Sequence, residues 1–281
     1  MFLFFQQWRA ECLKLLARKR TYLGFGAFLA LEAAVLALVH IKGATHFKTL
    51  ITRQGQVFDE YYSAPTLALI LFMASVFLLG GIYMTLVSGD IVAKENEDGH
   101  MRMLLARPIS RFRLLLVKYL TCVAYTVLLV QFIAWSAFLM GLAVTGWGGG
   151  FFAFVPELGI AAFYDWQTGM GKYIAASVSL SLSMITVTSI GFMLSCMPIK
   201  PAAATIGALS YMLIDFILRN MGFMEDYKHL LFTHHMQAAG RVLAEEPAWP
   251  VIIRSFAVLG AMNLTFFLIG FGIFDSRDLK S

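Results

Sequence analysis

The chain has 281 residues, of which 59% are hydrophobic and only 14% charged, with a mean hydropathy of +0.73. That is about half the charge fraction of a soluble domain, and the chain is read as an integral membrane protein. The net charge of +5 is no nucleic-acid signal, because the basic residues sit beside apolar runs.

In chain order, Met1 to Arg20 is amphipathic: Phe5, Trp8, Cys12 and Leu15/Leu16 recur at helical spacing, while Arg9, Lys14 and Arg18 fall elsewhere. The apolar run is too short, and its charge too late, for a secretory signal peptide. The segment 1–20 is expected to be an interfacial helix lying in the membrane plane. Six spans follow, near Thr21–Ile41, Thr66–Ser88, Leu114–Val144, Tyr173–Met197, Ala202–Arg219 and Val251–Phe274. The third exceeds what a bilayer needs and is expected to begin in the cytoplasm or to tilt. Between the third and fourth spans, 146–160 holds Gly148, Gly149, Gly150 and Pro156. It reads as a loop dipping into the outer interface, with Trp147 and Trp166 as anchors. Between the last two spans, 220–250 reads as one or two short helices on the outer surface, ended by Pro247 and Pro250.

With both termini in the cytoplasm, 14 of the 22 lysines and arginines fall on the inner side, and that bias sets the expected orientation. The whole chain is then one all-α domain, 1–281, with the segment 88–113 as its cytoplasmic connection between spans two and three.

That connection, within Ser88 to Lys118, is the densest block of charge. Asp90, Lys94, Glu95, Glu97 and Asp98 are followed by Arg102, Arg107, Arg111, Arg113 and Lys118. Gly99 breaks the helix entering it. His100–Ala106 reads as a short helix with Met101, Leu104 and Leu105 on one face. Pro108 ends it, and Ser110 suits the N-cap of the next helix. Such a short amphipathic helix suits docking into a groove on another protein, with its movement passed to two spans. The bland alternative is a charged loop resting on anionic lipid.

Glu95, Glu97, Asp98-Gly99, Leu104-Leu105, Arg107-Pro108-Ile109-Ser110-Arg111 and Lys118 together resemble the first cytoplasmic loop of ABC type-2 permeases. His100 stands where that pattern has a small hydroxyl residue. The resemblance covers about 30 residues of loosely defined motif. It implies a permease subunit working as a homo- or heterodimer with a separate ATPase subunit that carries ATP-Mg, usually as an exporter of lipids, polysaccharides, peptides or drugs in a prokaryotic inner membrane. The coupling residues it implies are Glu95, Glu97, Asp98, Gly99, Met101, Arg102, Leu104, Leu105, Arg107 and Pro108.

Two acids lie inside apolar runs, Glu32 in the first span and Asp215 in the fifth, and charge at that depth is costly enough to face the bundle interior or water. Each reads either as a pathway residue or as a hydrogen-bonded packing residue, Asp215 with Arg219 one turn on as its partner. The fourth span carries Ser177, Ser179, Ser181, Ser183, Thr186, Thr188 and Ser189, which suit close helix packing. His229, His234 and His235 lack clean metal-ligand spacing and read as interfacial histidines. Cys12, Cys122 and Cys196 form no disulfide framework. No Walker loop, nucleophile elbow or paired catalytic carboxylate appears, so neither enzyme chemistry nor a cofactor bound by this chain is expected. An ion-driven secondary transporter, for which Glu32 and Asp215 are the support, and a non-transporting membrane anchor or sensor are the competing classes.

Overall fold

The computed structural model describes residues 2–99, 101 and 109–277. The described residues are mostly helical. Six helices are long and apolar enough to cross a membrane: Lys19–Ile41, Ala64–Glu97, Arg111–Thr145, Trp166–Ser195, Pro201–Arg219 and Trp249–Asp275. The protein is a multi-pass membrane protein of the helical class.

Helix α1 (Phe2–Leu16) leads through a two-residue break into α2 (Lys19–Leu38), the body of the first span. The Thr21 hydroxyl donates to the Leu15 carbonyl at 2.7 Å and bridges that break. A π-helical turn, Val39–Gly43, leads into the amphipathic α3 (Ala44–Arg53) and the short α4 (Phe58–Tyr61). The second span is α5 (Ala64–Ser75) and α6 (Gly81–Glu97), joined through a π-helical turn at Val76–Gly80. Pro65 stands in the first turn of α5, where its missing N–H costs nothing.

Helix α7 (Arg111–Thr145) is 35 residues long. At 1.5 Å per residue it spans about 50 Å, well beyond a hydrocarbon core of about 30 Å. Ser110 caps it as expected, its hydroxyl accepting from the Arg113 N–H at 3.3 Å. The segment after α7 departs from the expected loop. It is a β-hairpin, β1 (Phe151–Val155) antiparallel to β2 (Ile160–Tyr164), turned through Pro156–Leu158 and Gly159 at φ +65°. Phe152 stacks on Phe163 across the pair at 4.7 Å. The hairpin is pinned by α4 and by the first turn of α5. The Phe152 N–H donates to the Thr66 hydroxyl at 2.9 Å, and the Gly150 N–H to the Glu60 carbonyl at 2.7 Å. Gly149, at φ +86°, passes so close to that carbonyl that a Cβ would sit 2.7 Å from it.

Helix α8 (Trp166–Ser195) forms the fourth span and α9 (Pro201–Arg219) the fifth. A 3₁₀ stretch, Gly222–Leu230, and the short α10 (Phe232–Met236) and α11 (Ala238–Arg241) then lead to α12 (Trp249–Asp275). Helix α8 is the core helix. Two thirds of its most apolar stretch is buried (67%), against 17% for α12, and this explains its many hydroxyls. Thr188 bonds Thr126 of α7 at 2.6 Å, Ser189 bonds Tyr119 at 2.9 Å, and Gln131 donates to Ser181 at 2.9 Å. Small hydroxyl residues thus tie α7 to α8 at close range.

The connections segregate to two ends. At one, Arg111 donates to the carbonyls of Asp275 and Arg277, and Arg277 to that of Cys196. At the other, the Tyr164 hydroxyl donates to the Leu243 carbonyl and Lys172 to that of Ala244.

Candidate functional site at the charged end of the bundle

Helices α1, α6 and α7 meet in a cluster of ion pairs. Lys118 of α7 is fully buried, with Nζ 2.6 Å from Glu95 Oε2 and 3.4 Å from Glu11 Oε2. Lys14 of α1 pairs with the other oxygen of Glu95, and Arg18 Nη2 lies 4.0 Å from it. Arg20 Nη1 pairs with Asp90 Oδ2 at 2.6 Å, and the Tyr83 hydroxyl donates to the Arg20 carbonyl. A lysine with no exposed surface is tolerated only with matched opposite charge, and two carboxylates supply it.

The arrangement follows from the sequence locally. Helix α6 continues about two and a half turns past Ser88 with Asp90, Lys94 and Glu95 within it, and stops where Gly99 takes φ +73°. Seven residues after the start of α7, Lys118 comes round to the face that meets Glu95. The two helices that flank the central connection are therefore clamped to each other and to α1.

The residues expected to couple to a partner separate into three groups. Glu97, Asp98 and Gly99 are exposed. Glu95 is buried and engaged within the chain. Met101 is only 1% exposed and belongs to the chain's own hydrophobic core. Arg102, Leu104, Leu105, Arg107 and Pro108 lie outside the described residues, as does the short helix expected over His100–Ala106, apart from Met101.

Glu32 is fully buried, and its Oε1 accepts from Ser136 of α7 at 3.0 Å. Its Oε2 has no hydrogen-bond partner among the described residues. It therefore faces the interior of this chain's own bundle. Asp215 does not pair with Arg219. Its Oδ2 accepts from both the N–H (2.9 Å) and the hydroxyl (2.5 Å) of Thr233, in the first turn of α10. Arg219 pairs instead with Glu157 of the hairpin turn at 3.1 Å, donates to the Thr233 carbonyl at 3.2 Å, and stacks over Phe216 at 4.9 Å. Both residues fasten the segment between the last two spans. The histidines behave likewise: His229 Nδ1 meets the Asp226 carbonyl at 2.9 Å, and His235 Nε2 the His229 carbonyl at 2.8 Å. His234 and His235 rings meet edge-on at 5.4 Å. Among the described residues no group of three or more potential metal ligands converges.

Sequence reasoning missed the clamp. Its signal was Glu11, the sole acid in the basic segment 1–20, and Lys118 four residues into an otherwise apolar run. It also missed Asp165, which caps α8 by accepting from the N–H groups of Gln167 and Thr168 at 3.1 and 3.2 Å.

A family described as "Protein of unknown function (DUF2705)" matches residues 32–280. The chain belongs to this family. A relative, the "Uncharacterized protein YhcI" of Bacillus subtilis (strain 168), is 26% identical over 219 residues, covering 74% of this chain and 67% of that protein. Neither description attaches an activity, so the functional reading rests on the sequence motif and the geometry above.

Proposed function

We propose that this chain is the permease subunit of an ATP-driven exporter, coupled through its 88–113 connection to a separate ATPase subunit that holds ATP-Mg. Two copies, or this chain and a second permease subunit, build the pathway. The chain itself hydrolyses nothing. It sits in the inner membrane of a prokaryote with both termini cytoplasmic, α1 in the interface plane and the 220–250 segment at the outer surface. The charge bias supports that orientation. The exposed apolar side chains of α9 and α12, among them Leu213, Ile214, Ile253 and Leu264, suit contact with lipid or a second subunit.

The observation that carries the reading is the clamp. A connection that only rests on lipid needs no rigid flanks. Here Lys118 and Glu95 bind together the two helices that the connection joins, at its root. A push on the connection then moves the second and third spans together and is not lost in bending. The reading is tested by co-expressing the chain with ATPase subunits encoded beside it and purifying on the chain alone. Recovery of an ATPase in stoichiometric amount supports it, and a chain that transports without any ATPase excludes it.

One observation favours a second reading, an ion-driven transporter: the unpartnered Oε2 of Glu32 deep in the first span. Transport that follows a proton or sodium gradient in vesicles lacking ATP would decide for it.

A further inference from the structure

Beside the clamp, a cavity of about 340 Å³ opens between α1, the start of α2 and the end of α6. It is lined by Lys14, Arg18, Lys19, Arg20 and Lys94, with Glu95 and Asp98 as its carboxylates. Five cations thus face two anions, and Glu95 is already engaged by Lys118 and Lys14. Arg20 is matched by Asp90. Lys19 and Lys94 have no ion-pair partner among the described residues. The first turn of α2 adds to this field. It carries no acidic residue, and its N-cap, Arg18, provides no side-chain acceptor for the free N–H groups.

We infer that this cavity binds a phosphate-bearing anion, with Lys19 and Lys94 as its principal partners. Basic pockets between spans on the cytoplasmic side suit anionic head groups. The neighbouring surface points to lipid as the source. Leu13 on α1 and Tyr22 and Leu23 on α2 are 56%, 67% and 74% exposed, one to three residues from the lining cations, and would meet acyl chains while the phosphate enters the cavity. Arginine and lysine stems reach such a boundary readily. This inference rests on the cytoplasmic orientation proposed above, and not on transport or an ATPase.

The test uses the full chain, solubilised from membranes and returned to vesicles of phosphatidylcholine alone or with phosphatidylglycerol. Retained lipid is read by native mass spectrometry. The wild type is expected to keep phosphatidylglycerol in preference to phosphatidylcholine. At about five-fold per lysine near an anionic surface, the K19Q/K94Q double variant should lose roughly 25-fold of that preference. The K19R/K94R variant should keep it, which separates charge from fold. In a second arm, inorganic phosphate is titrated against the detergent-solubilised protein. Phosphate binding that the double variant lacks, without any lipid preference, supports the site with a soluble occupant. If neither lipid nor phosphate distinguishes the wild type from K19Q/K94Q, the inference is overturned.

Discussion

Lys118 Nζ lies 2.6 Å from Glu95 Oε2, with neither residue more than 3% exposed, and this pair joins the end of the second span to the start of the third. Removing Lys118 takes away the buried counter-charge of Glu95 and leaves it only the more exposed Lys14 and Arg18. Lys118→Met should therefore cost about 3 kcal/mol, a typical value for breaking a buried pair. Glu95→Gln/Lys118→Met should recover part of that loss, since both charges are gone. Thermal unfolding in detergent checks both. Equal stability for the single and double variants would mean that Lys14 and Arg18 already satisfy Glu95 once Lys118 is gone.

Asp215 and Thr233 make a comparable tie at the opposite end. The Asp215 carboxylate accepts two hydrogen bonds from one residue of the outer segment. Asp215→Ala leaves both donors in a buried place, at a cost of about 1–3 kcal/mol. Hydrogen exchange should rise across 222–243, while exchange in α7 and α8 stays slow. An unchanged outer segment would assign its order to the Arg219–Glu157 pair instead.

Asp165 gives a pH-dependent contribution whose sign follows from its bonds. The Thr168 hydrogen bonds, foremost, and that of Gln167 hold its carboxyl below the ordinary carboxylate range. A group depressed in the folded state stabilises above its ordinary pKa, and the stabilisation is lost as pH falls through the folded value. The melting temperature of wild type should exceed that of Asp165→Ala at neutral pH. The two should converge in acid below the folded value. A constant gap down to that pH would contradict the capping role.

Glu32→Gln keeps an acceptor for Ser136 and removes only the charge. The variant should fold, with a melting temperature close to wild type, and should alter transport-coupled ATPase activity. Wild-type transport would leave Glu32 as a packing residue.

How much of this was legible depends on range. The six spans were readable because each is a sustained apolar run, and both the Ser110 cap and the Gly99 break rest on single residues with strong local preferences. The hairpin was not readable. Phe151–Val155 is a five-residue apolar stretch between Gly150 and Pro156, and only its pairing with Ile160–Tyr164 and anchorage to Thr66 make it a strand. The clamp was hidden for the same reason. Glu11 and Lys118 are 107 positions apart, and no local pattern links them. Asp215 shows the opposite error: Arg219 was the obvious neighbour along the helix, but Thr233, 18 residues on, offers two donors at once.

The central claim is that the 88–113 connection engages an ATPase subunit. Leu104 and Leu105 are the apolar pair that the motif supplies for that contact. Leu104→Ser/Leu105→Ser removes two apolar anchors, each worth on the order of 1.5–3 kcal/mol when buried. It touches no span, so insertion into the membrane should persist. The deciding measurement is recovery of the ATPase subunit on the purified double-serine variant. The account predicts that recovery falls at least ten-fold, the factor that about 1.4 kcal/mol sets. Undiminished recovery with normal ATP-driven transport would contradict it and leave the connection as a lipid-facing surface.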